Sequence, residues 1–175
     1  MFPREPIALG VRRVTFRPAV TADAAFLREL YGSTREAELA PVPWSVEQKN
    51  AFIAHQFAAQ TDAYTKNYPG AEFLVIAVDD RDAGRLYLHE RADEIRIMDV
   101  ALMPAFRNLG IGSAVLRRVL AQGATSQRRV SIHVEVFNPA MRLYERLGLR
   151  EVSRTEVYVL MEWRPAAASP TTPIG

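Results

Sequence analysis

The sequence contains no cysteine, which excludes disulfides, thiolate metal sites, iron–sulfur clusters and a cysteine nucleophile together, and makes a reducing, cytoplasmic setting the expected one. Apolar runs such as residues 73–78 fall far short of the ~20 residues that a membrane-spanning helix needs. No apolar stretch follows the N-terminal arginines, so neither a secretory signal nor membrane association is expected. Lysine is nearly missing: Lys49 and Lys66 stand against twenty arginines. Between Asp99 and Glu135 there is no acidic residue, although Arg107, Arg117, Arg118, Arg128 and Arg129 all lie there. That stretch carries +5 in a chain of net +2, so the remainder sums to −3. Such an asymmetry reads either as a solvated basic helix face, which charge alone favours, or as the footprint of an anionic partner. Nucleic acid is a poor candidate for it, because no aromatic residue lies between Phe106 and Phe137 to stack on bases. His55, His89 and His133 have no ligand spacing, and no metal is expected.

What is present describes one globular domain. A chain of 175 residues, 49% hydrophobic and 24% charged, can bury a core without staples. Residues 1–10 read as an N-terminal tail and 165–175 as a flexible Pro/Ser/Thr/Ala-rich tail, leaving 11–164 as the domain. Alternation over 11–17 predicts a strand. Thr21 is a candidate N-cap for a helix with the stripe Phe26, Leu27, Leu30 and Tyr31. Residues 35–44, with Pro41 and Pro43, read as an irregular connection. Ser45 and Gln48 then form a capping-box pattern that opens a second helix. Strands are expected over 72–78, 85–90 and 94–103, with a turn at 79–82. A helix follows over 112–122, with Gly123 in the place of a C-terminal cap. After a strand over 130–136, Asn138 and Pro139 are the N-cap and first residue of a short helix stopped by Gly148. Two strands, 150–154 and 157–164, close the domain. Hairpins in the middle and a helical crossover after them imply a mixed sheet covered by helices.

The segment that carries chemistry is Arg107-Asn108-Leu109-Gly110-Ile111-Gly112-Ser113. It follows a strand and opens a helix, where glycines, backbone amides and the positive end of the helix dipole suit an anion. It is not a Walker A loop, having no lysine, and not a dinucleotide fingerprint, because Val115 stands where the third glycine belongs. It resembles the [RQ]-x-x-G-x-[GA] pyrophosphate loop of the GNAT superfamily of acyl-CoA-dependent N-acyltransferases, with Arg107, Gly110 and Gly112 in the defined positions. Residues 97–104 resemble the strand before that loop. Residues 134–149 resemble the second family block, a strand, an asparagine (Asn138), a helix with a tyrosine (Tyr144) and a glycine (Gly148). Leu149 stands where the family has an aromatic residue.

The resemblance implies a GNAT-like α/β fold with a mixed, mostly antiparallel sheet of about seven strands flanked by four helices. It implies acetyl-CoA as acyl donor, and transfer of its acetyl group to a primary amine by direct attack in a ternary complex. Val100 and Leu102 are then backbone partners of pantetheine, and Arg107, Asn108, Leu109, Gly110, Ile111, Gly112 and Ser113 the diphosphate cradle, with Asn138 a further contact. Tyr144 occupies the place of the proton donor to the leaving thiolate, since a phenol near its usual value of roughly 10 is protonated at neutral pH. Its other reading is a core residue in the stripe Ala140, Leu143, Tyr144 and Leu147. Asp99 is the first candidate for the base, ahead of Glu94 and Glu135; the resemblance equally allows a water chain with no dedicated carboxylate, and His133 on its strand reads as structural. Strand parity turns Asp99 away from Val100 and Leu102 and puts Glu94 on their face, unless a bulge intervenes. The acceptor is a small molecule or a peptide amine; its wall is implied at 35–44 and 153–158. Fourteen acids against eight bases over residues 21–99 favour a cationic amine. A homodimer is allowed. A non-catalytic module that only binds or senses acyl-CoA is the alternative on the same fold.

Overall fold

Eight strands pair into a single sheet. The structure, a computed structural model, describes residues 1–166. Its elements run β1 (Ile7–Leu9), β2 (Arg12–Pro18), α1 (Ala24–Leu39), α2 (Val46–Asn67), β3 (Glu72–Val78), β4 (Arg81–Glu90), β5 (Glu94–Leu102), α3 (Ile111–Thr125), β6 (Arg129–Glu135), α4 (Met141–Arg146), β7 (Arg150–Arg154) and β8 (Tyr158–Trp163). The strand order is β1-β2-β3-β4-β5-β6-β8-β7. Only the β5–β6 pair, joined by the α3 crossover, is parallel. The expected mixed, mostly antiparallel sheet with four helices is therefore present, with one strand more than predicted. Among the described residues no helix is long and apolar enough to cross a membrane.

One face of the sheet carries α3 and α4. Ile111, Val115, Leu116 and Val119 of α3 and Tyr144 of α4 pack with Ile95, Ile97, Ile132 and Val134 of the sheet. The opposite face is covered by α1 and α2. Because both faces are covered, Leu74 through Val78 of β3 are all buried, where a one-sided sheet would alternate.

Several boundaries differ from the sequence reading, each for a physical reason. Residues 1–10, read as a tail, contain β1, and Phe2 is buried with its ring against Phe16 at 4.9 Å. The chain's amino group meets Glu90 at 2.9 Å. The connection at 35–44 is shorter than expected: α1 continues through good helix formers to Leu39, which is buried, before Pro41. Asp23, not Thr21, organises the start of α1, accepting the Val20 N–H at 2.8 Å and holding Arg17 at 2.8 Å. The β3–β4 turn tightens to Asp79 and Asp80, both at positive φ as a two-residue hairpin requires. Gly123 lies inside α3, which ends at Thr125; a side chain there would meet the Arg128 carbonyl at 3.0 Å, so glycine serves close packing instead of capping. The flexible-tail expectation for 165–175 falls almost wholly outside the described residues.

Candidate functional site

The site begins where the sheet comes apart. β5 and β6 pair only from Glu94 with Arg129 to Ile97 with Ile132. Against β4, Tyr87 faces Asp99 while Leu88 faces Ile97, so Met98 is an extra, bulged residue. The bulge turns β5 away from β6 and resets its parity. Ile95, Ile97, Val100 and Leu102 all pack toward the α3 core, whereas Arg96 and Asp99 face α2. The Met103 N–H donates to Ala83 on β4 at 2.8 Å. By alternation the polar backbone groups of Val100 and Leu102 point the other way, into the gap that β6 has left.

The loop after β5 closes one end of that gap. Asn108 and Gly110 take positive φ (59° and 80°), which bends the chain sharply into α3. The first backbone bond of the helix is Ala114 N–H to Gly110 at 3.0 Å. The amides of Ile111, Gly112 and Ser113 thus lack helical acceptors and present the positive end of the helix dipole. A Cβ on Gly112 would stand 3.7 Å from Leu143 and 3.8 Å from Leu102, squarely between α4 and the end of β5. Arg107 is placed differently from the other loop residues. Its N–H donates to Pro104 at 3.2 Å, its Nε to the Leu102 carbonyl at 2.8 Å, and its Nη2 to Ser33 Oγ at 3.0 Å. It braces the loop against β5 and α1. Asn138 is likewise committed in part: its Oδ1 accepts the Ala140 N–H at 2.8 Å, forming a turn before α4, whose N-cap position is Ala140.

Tyr144 and Asp99 approach the gap from opposite faces. Tyr144, on α4, is 4% exposed. Burial pushes its hydroxyl well above the usual tyrosine value, and the Asp99 charge adds to the shift. Asp99 receives Arg85 Nη2 on Oδ2 at 2.5 Å. Arg85, on β4, is 2% exposed, donates to Gln60 at 3.0 Å and lies over the rings of Tyr87 and Tyr31 at 5.1 and 5.8 Å. Tyr64 of α2 donates to the bulged Met98 carbonyl at 3.2 Å. Glu94, the other carboxylate of β5, is buried against Ser131 Oγ at 2.5 Å; Glu135 is held by Arg35 at 3.0 Å. Sequence reasoning missed Arg85 and Tyr64. Arg85 had a signal: it interrupts the apolar run 83–88 of a strand buried on both faces.

The tertiary structure also redistributes the charge. Acids from elsewhere in the chain meet the basic stretch: Arg118 pairs with Glu5 at 3.4 Å, Arg128 with Glu90 at 2.9 Å, and Arg129 with Asp93 at 3.3 Å. With Arg107 turned to Ser33, the loop presents backbone amides rather than this arginine side chain at the start of α3. Among the described residues no group of three His, Asp or Glu side chains is placed to hold a metal ion.

The chain matches the Acetyltransferase (GNAT) family over residues 27–149. No curated protein is significantly similar to it in sequence. Among solved structures it resembles the PaiA N-acetyltransferase of Thermoplasma acidophilum in complex with coenzyme A, with a TM-score of 0.65 at 16% identity over 86% of this chain and 98% of that one. It also resembles RimL, a ribosomal L7/L12 α-N-protein acetyltransferase in complex with coenzyme A, with a TM-score of 0.61 at 18% identity over 94% and 100%. The ribosomal-protein-S18-alanine N-acetyltransferase of Escherichia coli gives 0.60 at 18% identity over 92% and 99%. At these identities the likeness is one of fold, while the family match spans most of the chain, including the split strands, the loop and α4. The chain belongs to the GNAT acetyltransferase family.

Proposed function

We propose that this protein transfers an acetyl group from acetyl-CoA to a primary amine by direct attack in a ternary complex. The observation that carries the proposal is the parting of β5 and β6 beside a helix start whose first amides have no acceptor. An extended arm fits the gap, where Val100 offers N–H and C=O and Leu102 its N–H; Arg107 already occupies the Leu102 carbonyl. The diphosphate lies on the amides of Asn108 to Ser113, with Gly112 leaving room for it, and Arg107 acts as the brace of that loop. The Asn138 amide nitrogen remains available for a further contact. The bound donor supplies a thioester carbonyl. The acceptor nitrogen forms the C–N bond as the C–S bond breaks, its proton passes to Asp99 Oδ1 and on to solvent, and Tyr144 gives a proton to the departing sulfur and regains one from solvent. Arg85 holds Asp99 by the other oxygen and so keeps Oδ1 toward the amine.

Acetyl-CoA at a hundred times its Kd is expected to raise native stability by about 2.7 kcal/mol, read as a shift of the melting temperature. Gly112→Val places a branched side chain between Leu102 and Leu143, on the path of the ligand, at ordinary contact distance from the protein itself. The variant is expected to keep its far-UV circular dichroism and lose the shift. Wild-type protection in the variant would move the donor site elsewhere, and no shift in the wild type would remove the proposal.

A further inference from the structure

On the α2 side of the strand split lies a cavity of about 210 Å³. It is lined by Tyr64 and Tyr68 of α2, Arg96 and Met98 of β5, His133 of β6 and Tyr158 of β8. Met98 is the bulged residue and precedes Asp99 in β5, so the cavity adjoins the segment of β5 that carries the proposed base. No carboxylate lines it. The acids of residues 21–99, which as a sum favour a cationic acceptor, do not line it, and several of them are engaged elsewhere. Asp99 faces Arg85, Asp23 and Asp82 share Arg17, and Glu94 turns to Ser131, Arg91 and Arg129.

Arg96 is the cation of this cavity. Among the described residues no carboxylate lies within 4.0 Å of its guanidinium. Its neighbours are the Tyr68 ring at 6.0 Å and His133 Nδ1, to which Nη2 donates. A guanidinium has five N–H donors in a planar fork that matches a carboxylate, and a single bond to an imidazole leaves most of them unused. His133 complements it. Desolvation and the Arg96 charge push the His133 ring below its usual value, so it stays neutral at pH 7. With Nδ1 accepting from Arg96, the ring proton sits on Nε2, which makes that nitrogen a second donor rather than a base.

We propose that Arg96 and His133, walled by Tyr68 and Tyr158, form a carboxylate site, and that the amine acetylated here carries a carboxylate close to its nitrogen. The inference rests on the acetyl-transfer reading and names its acceptor class. The cavity is smaller than the ~300–1,000 Å³ of a pocket that encloses a whole drug-sized ligand, so it takes the group next to the amine and not a bulky acceptor entire. Two sources supply that chemistry: the α-carboxylate of a free amino acid, or an acidic side chain following a peptide N-terminus.

The test uses matched acceptors. Alanine is compared with alaninamide, and the amidated tripeptide Ala-Asp-Ala with Ala-Asn-Ala, by thiol release from acetyl-CoA and by calorimetric binding to the CoA-saturated protein. The wild type is expected to prefer the carboxylate member of one pair, and which pair responds identifies the source. Arg96→Gln is expected to lower kcat/KM, and affinity, for that member about 10–100-fold. It should leave the neutral member within about twofold and the acetyl-CoA thermal shift unchanged, while Arg96→Lys retains part of the preference. Equal use and equal binding of both members of each pair, or an undiminished preference in Arg96→Gln, would overturn the carboxylate site while leaving acetyl transfer intact. Selective binding that depends on Arg96 but without thiol release would support the site and count against the transfer reading.

Discussion

Replacing Tyr144 by phenylalanine is expected to lower kcat about 10²–10⁴-fold with little change in KM for acetyl-CoA. The change removes one oxygen and keeps the ring, which is 4% exposed and packed in the core beneath α4. A hydroxyl that only completed that packing would cost roughly 1 kcal/mol of stability and leave turnover nearly intact. Its raised pKa keeps the hydroxyl protonated throughout the neutral and mildly alkaline range, so the proton is there to be given and the group cannot serve as a base, while the same burial makes it a weaker acid than a free phenol. A thiolate leaves more readily than an alkoxide, which places the expected loss toward the lower end of the range. Steady-state kinetics with any acceptor that turns over decide the matter. A variant with wild-type kcat would return Tyr144 to a packing role. Protection by acetyl-CoA with no turnover by the wild type, for any amine, would identify a binding module instead of an enzyme.

Arg85→Met is expected to destabilise the protein by about 3–5 kcal/mol, the usual cost of removing one partner from a buried ion pair. Asp99 would be left facing α2 without its cation, and the stacking over Tyr31 and Tyr87 would be lost. The pair itself is an expensive way to fill this space, since Arg85 Nε and Nη1 are buried without hydrogen-bond partners. The double variant Arg85→Met with Asp99→Asn should therefore recover most of the loss in urea unfolding, because neither charge then remains buried. A single variant within about 1 kcal/mol of the wild type would show that the pair is structurally idle. Persistence of the full loss in the double variant would point to packing around Arg85 instead of to the uncompensated Asp99 charge.

Much of this architecture was legible in the residues. Binary patterns located seven of the eight strands of the sheet, all but β1, and capping chemistry at Ser45 and Gln48 marked the start of α2, where both predicted bonds form at 3.2 and 2.8 Å. The errors lie where local rules meet distant partners. Residues 1–10 look unstructured because three apolar residues cannot hold a strand alone; they do so here because β2 and the Phe16 ring lie beside them. Gly123 has the composition of a cap, yet its reason is the close approach of the Arg128 carbonyl and Trp163.

By itself the sequence determined the mixed sheet, the crossover at α3 and the glycine loop that opens it, because hydrophobic period and backbone φ are local properties of neighbouring residues. It also set Tyr144 on an apolar helical stripe, the core reading that stands beside the proton-donor role implied by the family resemblance. The tertiary structure alone decided the rest. A single bulged residue, Met98, chose which face of β5 each side chain after it occupies, and no local pattern distinguishes a bulge from regular pleating. Pairing across the fold decided which charges remain available: Glu5, Glu90 and Asp93 neutralise arginines more than thirty residues away, while Arg96 is left facing an acid-free cavity. Charge counted along a chain sums over residues that never meet, whereas Coulomb interaction falls with distance and with solvent screening, so only the folded arrangement says which sign a ligand encounters.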